Sequence, residues 1–155
     1  MSGWNIVIGA DDAGYAYKEV LRDLLETDSR VESVVDVGVD VDGHTPYPRV
    51  ASEAARMVAE GRADRALLVC GTGLGMAIAA NKVRGVRAVT AHDGYSVARS
   101  VLSNNAQVLA LGARVIGPEL AKTLVDEWLG LTFDPQSASS AKVELIDQLE
   151  KEESA

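Results

Sequence analysis

The sequence predicts an α/β protein with a doubly wound parallel sheet, and three observations carry that prediction. Short runs of Val, Leu, Ile and Ala alternate along the 155 residues with segments of helical periodicity. Several of the runs lack polar/apolar alternation, as strands covered on both faces do. Gly, Asp and Pro punctuate the boundaries between runs and helices. A chain of this length builds one such domain, residues 1–155, and is short for two.

Trp4 to Ala10 is an apolar, β-branched run that ends in Asp-Asp-Ala-Gly, a turn and helix-start signal. Val20, Leu21, Leu24 and Leu25 then recur at helical spacing. A second run, Val31 to Val37, stops at Gly38, and a polar loop with two prolines leads to an Ala-rich helix from about Arg49 to Glu60. Ala66 to Cys70 is a third strand, entering Gly71-Thr-Gly-Leu-Gly75 and a helix from Met76 to Lys82. Arg87 to Ala91 and Gln107 to Ala113 are two further strands, each followed by a helical segment. Pro118 opens the penultimate helix in the favoured first position. A Ser/Ala-rich hinge, residues 136–140, precedes a charged final helix from Ala141 to about Lys151. Ligands of such sheets bind at the carboxyl ends of the strands.

The bulk composition excludes several function classes. A formal charge of −8 and a pI near 4.7 argue against nucleic acid and against an anionic membrane surface. One cysteine excludes a disulfide framework and any paired-cysteine zinc or redox motif. Two histidines make a His-based metal cluster improbable. Met1 to Asn5 carries no signal-peptide pattern, and no stretch approaches the ~18 apolar residues of a membrane helix. A reducing cytoplasm is the expected location.

The chemistry gathers around Cys70. It stands at the end of a strand, and Gly71-Thr72-Gly73-Leu74-Gly75 can turn several N–H groups inward as a nest for a phosphate or a developing oxyanion. The loop lacks the Lys-Ser/Thr of a nucleotide-triphosphate loop. The first strand's turn, Gly9 to Gly14, is acidic where a dinucleotide's pyrophosphate would lie, which leaves NAD a poor second. Asp11 and Asp12 stand beside the expected crevice, one expected to cap a helix and the other to face a ligand. His92 follows the fourth strand and is as well read as a loop residue as a site residue. Arg114 follows the fifth strand, where it can meet an anion with two N–H groups or pair with a surface carboxylate.

Cys70-Gly-Thr-Gly-Leu-Gly75, Ile78-Ala-Ala-Asn-Lys82, Arg87-Ala-Val, Tyr95-Ser96 and Val108-Leu-Ala-Leu-Gly-Ala-Arg114-Val together resemble the ribose-5-phosphate isomerase B and galactose-6-phosphate isomerase (LacA/LacB) family. The resemblance covers nearly the whole chain. It implies a Rossmann-like three-layer α/β/α sandwich with a five-stranded parallel sheet, no metal and no cofactor. It also implies a homodimer, or a tetramer built from dimers, with active sites between subunits and the final helix packed on the partner. By that resemblance Cys70 removes the proton beside the substrate carbonyl to give a cis-enediolate, with a small phosphorylated sugar as substrate. The amides of Gly71, Gly73, Leu74 and Gly75 would hold its oxyanion, and Thr72 would assist proton transfer. Asp11 and Asn104 would hold substrate oxygens, Tyr47 matches the family's Tyr-Pro pair, and Arg114 matches a phosphate ligand.

The departures are specific. The family's Asp-His is Asp11-Asp12 here, and its His-Asn, whose histidine opens the sugar ring, is Ser103-Asn104. Its phosphate-gripping Arg-His-x-x-Arg reads Ala138-Ser139-Ser140-Ala141-Lys142, and Pro46 replaces the aspartate of Asp-Tyr-Pro. Ser139 and Lys142 are the residues left there to meet a phosphate. A tetrose 4-phosphate cannot close a furanose ring because its 4-oxygen carries the phosphate. The missing histidine therefore favours a four-carbon substrate, erythrulose 4-phosphate with erythrose 4-phosphate. Ribose 5-phosphate is the rival substrate, and a non-catalytic sugar-phosphate sensor is the rival function.

Overall fold

The computed structural model describes residues 3–154; Met1, Ser2 and Ala155 lie outside them, the first two in the N-terminal stretch discussed above. Eleven elements follow in strict alternation until the end: β1 (Trp4–Ala10), α1 (Tyr15–Glu26), β2 (Val31–Asp36), α2 (Tyr47–Ala59), β3 (Arg65–Cys70), α3 (Leu74–Ala80), β4 (Ala88–Thr90), α4 (Gly94–Leu102), β5 (Val108–Gly112), α5 (Pro118–Leu129) and α6 (Ser140–Glu153). All strand pairs are parallel and the order is β2-β1-β3-β5-β4. The chain steps outward from β1 to β2, then crosses back to β3. That reversal opens a crevice between the carboxyl ends of β1 and β3.

Side chains alternate across each strand, so the sheet divides its apolar residues between two cores. Val7, Leu68, Cys70, Val108 and Ala110 meet α2 and α3 on one face. Ile6, Ile8, Leu67, Val69, Leu109 and Leu111 meet α1, α4 and α5 on the other. Every residue of β3 and β5 is buried, which is why Ala66–Cys70 and Val108–Gly112 read as unbroken apolar runs. The α2 stripe of Ala51, Ala54 and Ala55 is small, so α2 lies close against α3. Trp128 of α5 is the largest fully buried side chain, and the Trp4 indole N–H donates to the Leu129 carbonyl at 2.9 Å.

Several boundaries differ from the sequence expectation. The α2 helix opens at Tyr47 and not near Arg49, because Pro48 occupies its first turn, where the missing N–H costs nothing. The second strand ends at Asp36. The fourth is only Ala88–Thr90, since this edge strand pairs with β5 alone. The α3 helix begins at Leu74 rather than Met76, and α6 runs from Ser140 to Glu153. The α6 helix docks on its own chain, where the Gly85 N–H donates to Glu150 at 2.6 Å and Arg87 pairs with Asp147 at 3.0 Å. No helix among the described residues is long and apolar enough to cross a membrane.

Candidate active site

The Cys70 loop stands at the crevice between β1 and β3 and is fastened from three sides. From β5, the Ala113 N–H donates to the Cys70 carbonyl at 2.8 Å and the Arg114 N–H to the Gly71 carbonyl at 3.0 Å. From β4, the Thr90 hydroxyl donates to the Gly73 carbonyl at 2.8 Å. Gly73 itself takes a left-handed conformation at φ +78°, which a side chain would strain. From below, Gly112 leaves no room for a Cβ, which would stand 2.6 Å from the Thr72 carbonyl carbon. The loop is thus set before any ligand arrives.

Within it, Cys70 is 5% exposed and its Sγ accepts the Gly73 N–H at 3.1 Å. An amide N–H aimed at sulfur is placed to hold a thiolate's charge. The Thr72 hydroxyl oxygen accepts the Leu74 N–H at 3.3 Å, which leaves the hydroxyl proton free to donate. The N–H groups of Gly75 and Met76 belong to the first turn of α3 and have no partner inside the helix.

Three other segments bring residues to this place. The Arg114 guanidinium lies beside Gly71, with Nη1 3.2 Å from where a Cβ would stand. The Tyr47 ring covers Gly75, its hydroxyl 2.8 Å from the corresponding Cβ position. Gly14 packs against the backbone of Val69, which brings the Asp11-Asp12 turn to the end of β3. Asp11 accepts the Gly14 N–H at 3.0 Å and Asp12 the Ala13 N–H at 3.1 Å. Contrary to the expected division of labour, neither caps α1, whose N-cap is Gly14 without a side-chain cap. Asp12 instead lies 3.6 Å from the Nδ1 of His44, both exposed.

His92, read from the sequence as either a loop residue or a site residue, makes a hydrogen bond to the end of β5. Its Nε2 accepts the Gly112 N–H at 2.8 Å, fixing the end of β5 under the Thr72 backbone. That nitrogen must therefore be unprotonated. Burial holds the imidazole below its usual range, despite the opposing pull of Asp93. The unfolded chain takes up a proton near pH 6.5, roughly, while the folded chain resists it. The stability His92 contributes is thus present above that pH and is lost as pH falls through the lower folded value. His92→Gln, which keeps an acceptor that does not titrate, should flatten the stability–pH curve below about pH 6.5 in thermal unfolding.

Ser103, Asn104, Ser139 and Lys142 make no hydrogen bond to the Cys70 loop among the described residues. The Ser103 hydroxyl accepts from the Arg99 guanidinium at 2.7 Å at the end of α4. Asn104 lines a separate recess of about 270 Å³ with Thr90, Tyr95, Ser96 and Arg99. Ser139 and Lys142 lie at the start of α6, where the Lys142 N–H donates to the Ser139 carbonyl. Sequence reasoning missed Gly112 and Thr90, which hold Thr72 and Gly73 from 40 and 17 residues away; no local spacing announces such contacts. Among the described residues no group of three His, Cys, Asp or Glu side chains could hold a metal ion.

A thiol under a preset nest of amides, flanked by a cation and a tyrosine, suits proton abstraction beside a carbonyl with capture of the resulting oxyanion. Comparison with known proteins agrees in sequence and in shape. The chain is 72% identical over 139 residues to D-erythrulose-4-phosphate isomerase 2 of Mycolicibacterium smegmatis, covering 89% of this chain and 91% of that one. It is 47% identical to D-erythrulose-4-phosphate isomerase of Pectobacterium atrosepticum, covering 96% and 97%. The type B ribose 5-phosphate isomerase structure of Leishmania infantum superposes with a TM-score of 0.92 at 31% identity, covering 97% and 99%. Ribose-5-phosphate isomerase B of Clostridium thermocellum gives 0.89 at 38%, covering 95% and 97%. Residues 6–146 match the family described as Ribose/Galactose Isomerase, and with the cysteine, the nest and the three-layer fold in place the chain belongs to that family of sugar-phosphate isomerases.

Proposed function

We propose that this isomerase interconverts D-erythrulose 4-phosphate and D-erythrose 4-phosphate through a cis-enediolate formed by Cys70. The observation that carries the reading is Ser103. The family's ring-opening histidine is replaced by Ser103, whose hydroxyl accepts from Arg99 and, unlike an imidazole, does not gain or lose a proton near neutral pH as opening a furanose requires. The two erythrulose-phosphate isomerases of the comparison support the same substrate.

In this reading the Cys70 thiolate takes the proton from the carbon beside the carbonyl, leaving its electron pair to form the enediolate. Within the Gly71–Gly75 loop the amides of Gly71 and Gly75 hold the developing oxyanion while those of Gly73 and Leu74 hold Cys70 and Thr72 in place, each well-placed oxyanion donor being worth on the order of 100-fold in rate. Thr72 relays a proton between the two oxygens, and the Cys70 thiol returns its proton to the neighbouring carbon. Asp11 and Tyr47 orient the hydroxyls, and Arg114 meets the phosphate. Asn104 and Lys142 serve a neighbouring copy's site in a homodimer. The exposed Leu74 and Ile78 on α3, next to the Cys70 loop, support such a dimer, and Leu145, Ile146 and Leu149 on α6 offer a further contact face. A single cysteine that must remain a free thiol suits a reducing cytoplasm.

Steady-state kinetics on both substrates test the assignment. We expect kcat/KM for erythrulose 4-phosphate to exceed that for ribose 5-phosphate by about 100-fold or more, the low end of what one positioned acid or base contributes. Faster turnover of ribose 5-phosphate would assign the chain to the pentose reaction. Tight binding of both without turnover would mark a sensor.

A further inference from the structure

Lys18 is a charged residue on the buried stripe of α1, in line with Leu21 and Leu25, and it is 1% exposed. Its ammonium group donates to both carboxylate oxygens of Asp36 at 2.9 Å each and to the Val39 carbonyl at 2.6 Å, using all three of its protons. The pair is buried on the lysine side only, the Asp36 side chain being 23% exposed, and replacing a buried charge of such a pair by an apolar group of similar volume is often neutral or stabilising. Stability alone therefore does not call for a lysine here, and what the lysine holds becomes the question.

It holds the root of the segment that leads into Tyr47, the first residue of α2. Asp36 Oδ1 also accepts the Gly38 N–H at 2.8 Å, and Arg22 donates to Oδ2 at 3.0 Å. Burial raises the Asp36 carboxyl, but these hydrogen bonds outweigh it and keep the group below the ordinary range. Ala10 at the end of β1 exchanges two backbone hydrogen bonds with the same segment, from its N–H to Gly38 and from the Val39 N–H back to it, each 2.8 Å. Val39 is buried in the core with Val50 of α2. From that root the chain runs to Tyr47, whose ring lies on Gly75.

We propose that Lys18 is a positioning residue for substrate binding: by clamping Asp36 and the Val39 carbonyl it fixes the 37–46 segment and hence the Tyr47 hydroxyl over the Cys70 loop. The proposal rests on the reading of Tyr47 as a substrate contact. Glu19, 3.6 Å away, and the Tyr15 ring, 5.2 Å from the ammonium, complete its surroundings. The Cys70 loop itself is fastened by β5 and Thr90, not by this segment. Loss of the clamp should therefore weaken binding while the chemistry survives.

The test is a set of full-length variants, Lys18→Met, Tyr47→Phe and the pair combined, assayed with erythrulose 4-phosphate and checked by circular dichroism. Lys18→Met should raise KM about tenfold, the worth of one or two hydrogen bonds, with kcat within about threefold. In the Tyr47→Phe background the same change should cost less than about threefold, because the two act through one contact. If Lys18→Met does not fold, the double variant Lys18→Met with Asp36→Asn, which removes both charges of the pair and leaves neither unpaired, carries the same two expectations. A fall in kcat at unchanged KM, or an undiminished Lys18 effect in the Tyr47→Phe background, overturns the proposal alone. Wild-type kinetics for Tyr47→Phe would remove the hydroxyl from the reading of the site and the proposal with it.

Discussion

Cys70→Ala loses on the order of 1,000-fold or more in kcat on the isomerisation of erythrulose 4-phosphate, while KM and the fold are retained. Removing the sulfur leaves the nest, Arg114 and Tyr47 untouched, so a substrate can still be held. What disappears is the one basic atom that sits under the amides. The cavity created is a single heavy atom in the core between β3, α2 and α3, which costs about 1 kcal/mol of stability. Cys70→Ser tests the same point differently. Its hydroxyl fits the space and can accept the Gly73 N–H, but an alcohol is a far poorer base than a thiol, so activity should stay within about tenfold of the alanine variant. Steady-state kinetics and thermal unfolding of both proteins check these outcomes.

The second large effect comes from a residue without a side chain. In Gly112→Ala the new Cβ stands 2.6–2.7 Å from three backbone atoms of Thr72. Backbone cannot rotate aside as a long side chain does, so the Cys70 loop must move by a sizeable fraction of an ångström. A displacement of about 1 Å from a productive geometry is worth roughly 100-fold in rate, and that is the loss expected in kcat. Stability should fall by about 1–3 kcal/mol, since the same shift strains the Gly112–His92 hydrogen bond and the Ala113–Cys70 one. Gly130→Ala is the matching control, with ordinary contacts of 3.5 Å to Arg30 and Glu127, far from the site in the fold. It should leave kcat unchanged.

The fold was legible because its signals are local. The run from Trp4 to Ala10 coincides with β1, and the unalternating Ala66–Cys70 run lies within β3. Boundaries moved where two local rules competed. Two prolines made residues 46–48 read as loop, yet a proline in the first turn is compatible with helix, so α2 takes in Tyr47. The five-residue run expected for β4 shrank to three because an edge strand has a partner on one side only. In the site, Cys70 and its glycines were readable as one contiguous motif. His92 was not, because its role is a hydrogen bond to Gly112, twenty residues on, which no periodicity encodes. Nothing in the local sequence marks Lys18 as buried; its burial follows from Asp36 and Val39 reaching back to it across the β2 end. The division of labour expected of Asp11 and Asp12 failed for a similar reason, since Gly14, not an aspartate, occupies the N-cap of α1.

Isomerisation in deuterium oxide, followed by proton NMR, tests the central claim most directly. A thiolate that passes a proton between adjacent carbons through an enediolate lets solvent deuterium enter at the carbon beside the carbonyl. The account predicts that the wild-type enzyme incorporates deuterium there from erythrulose 4-phosphate, and that Cys70→Ala loses incorporation and turnover together. Turnover and incorporation that both survive at wild-type rates in Cys70→Ala would contradict it.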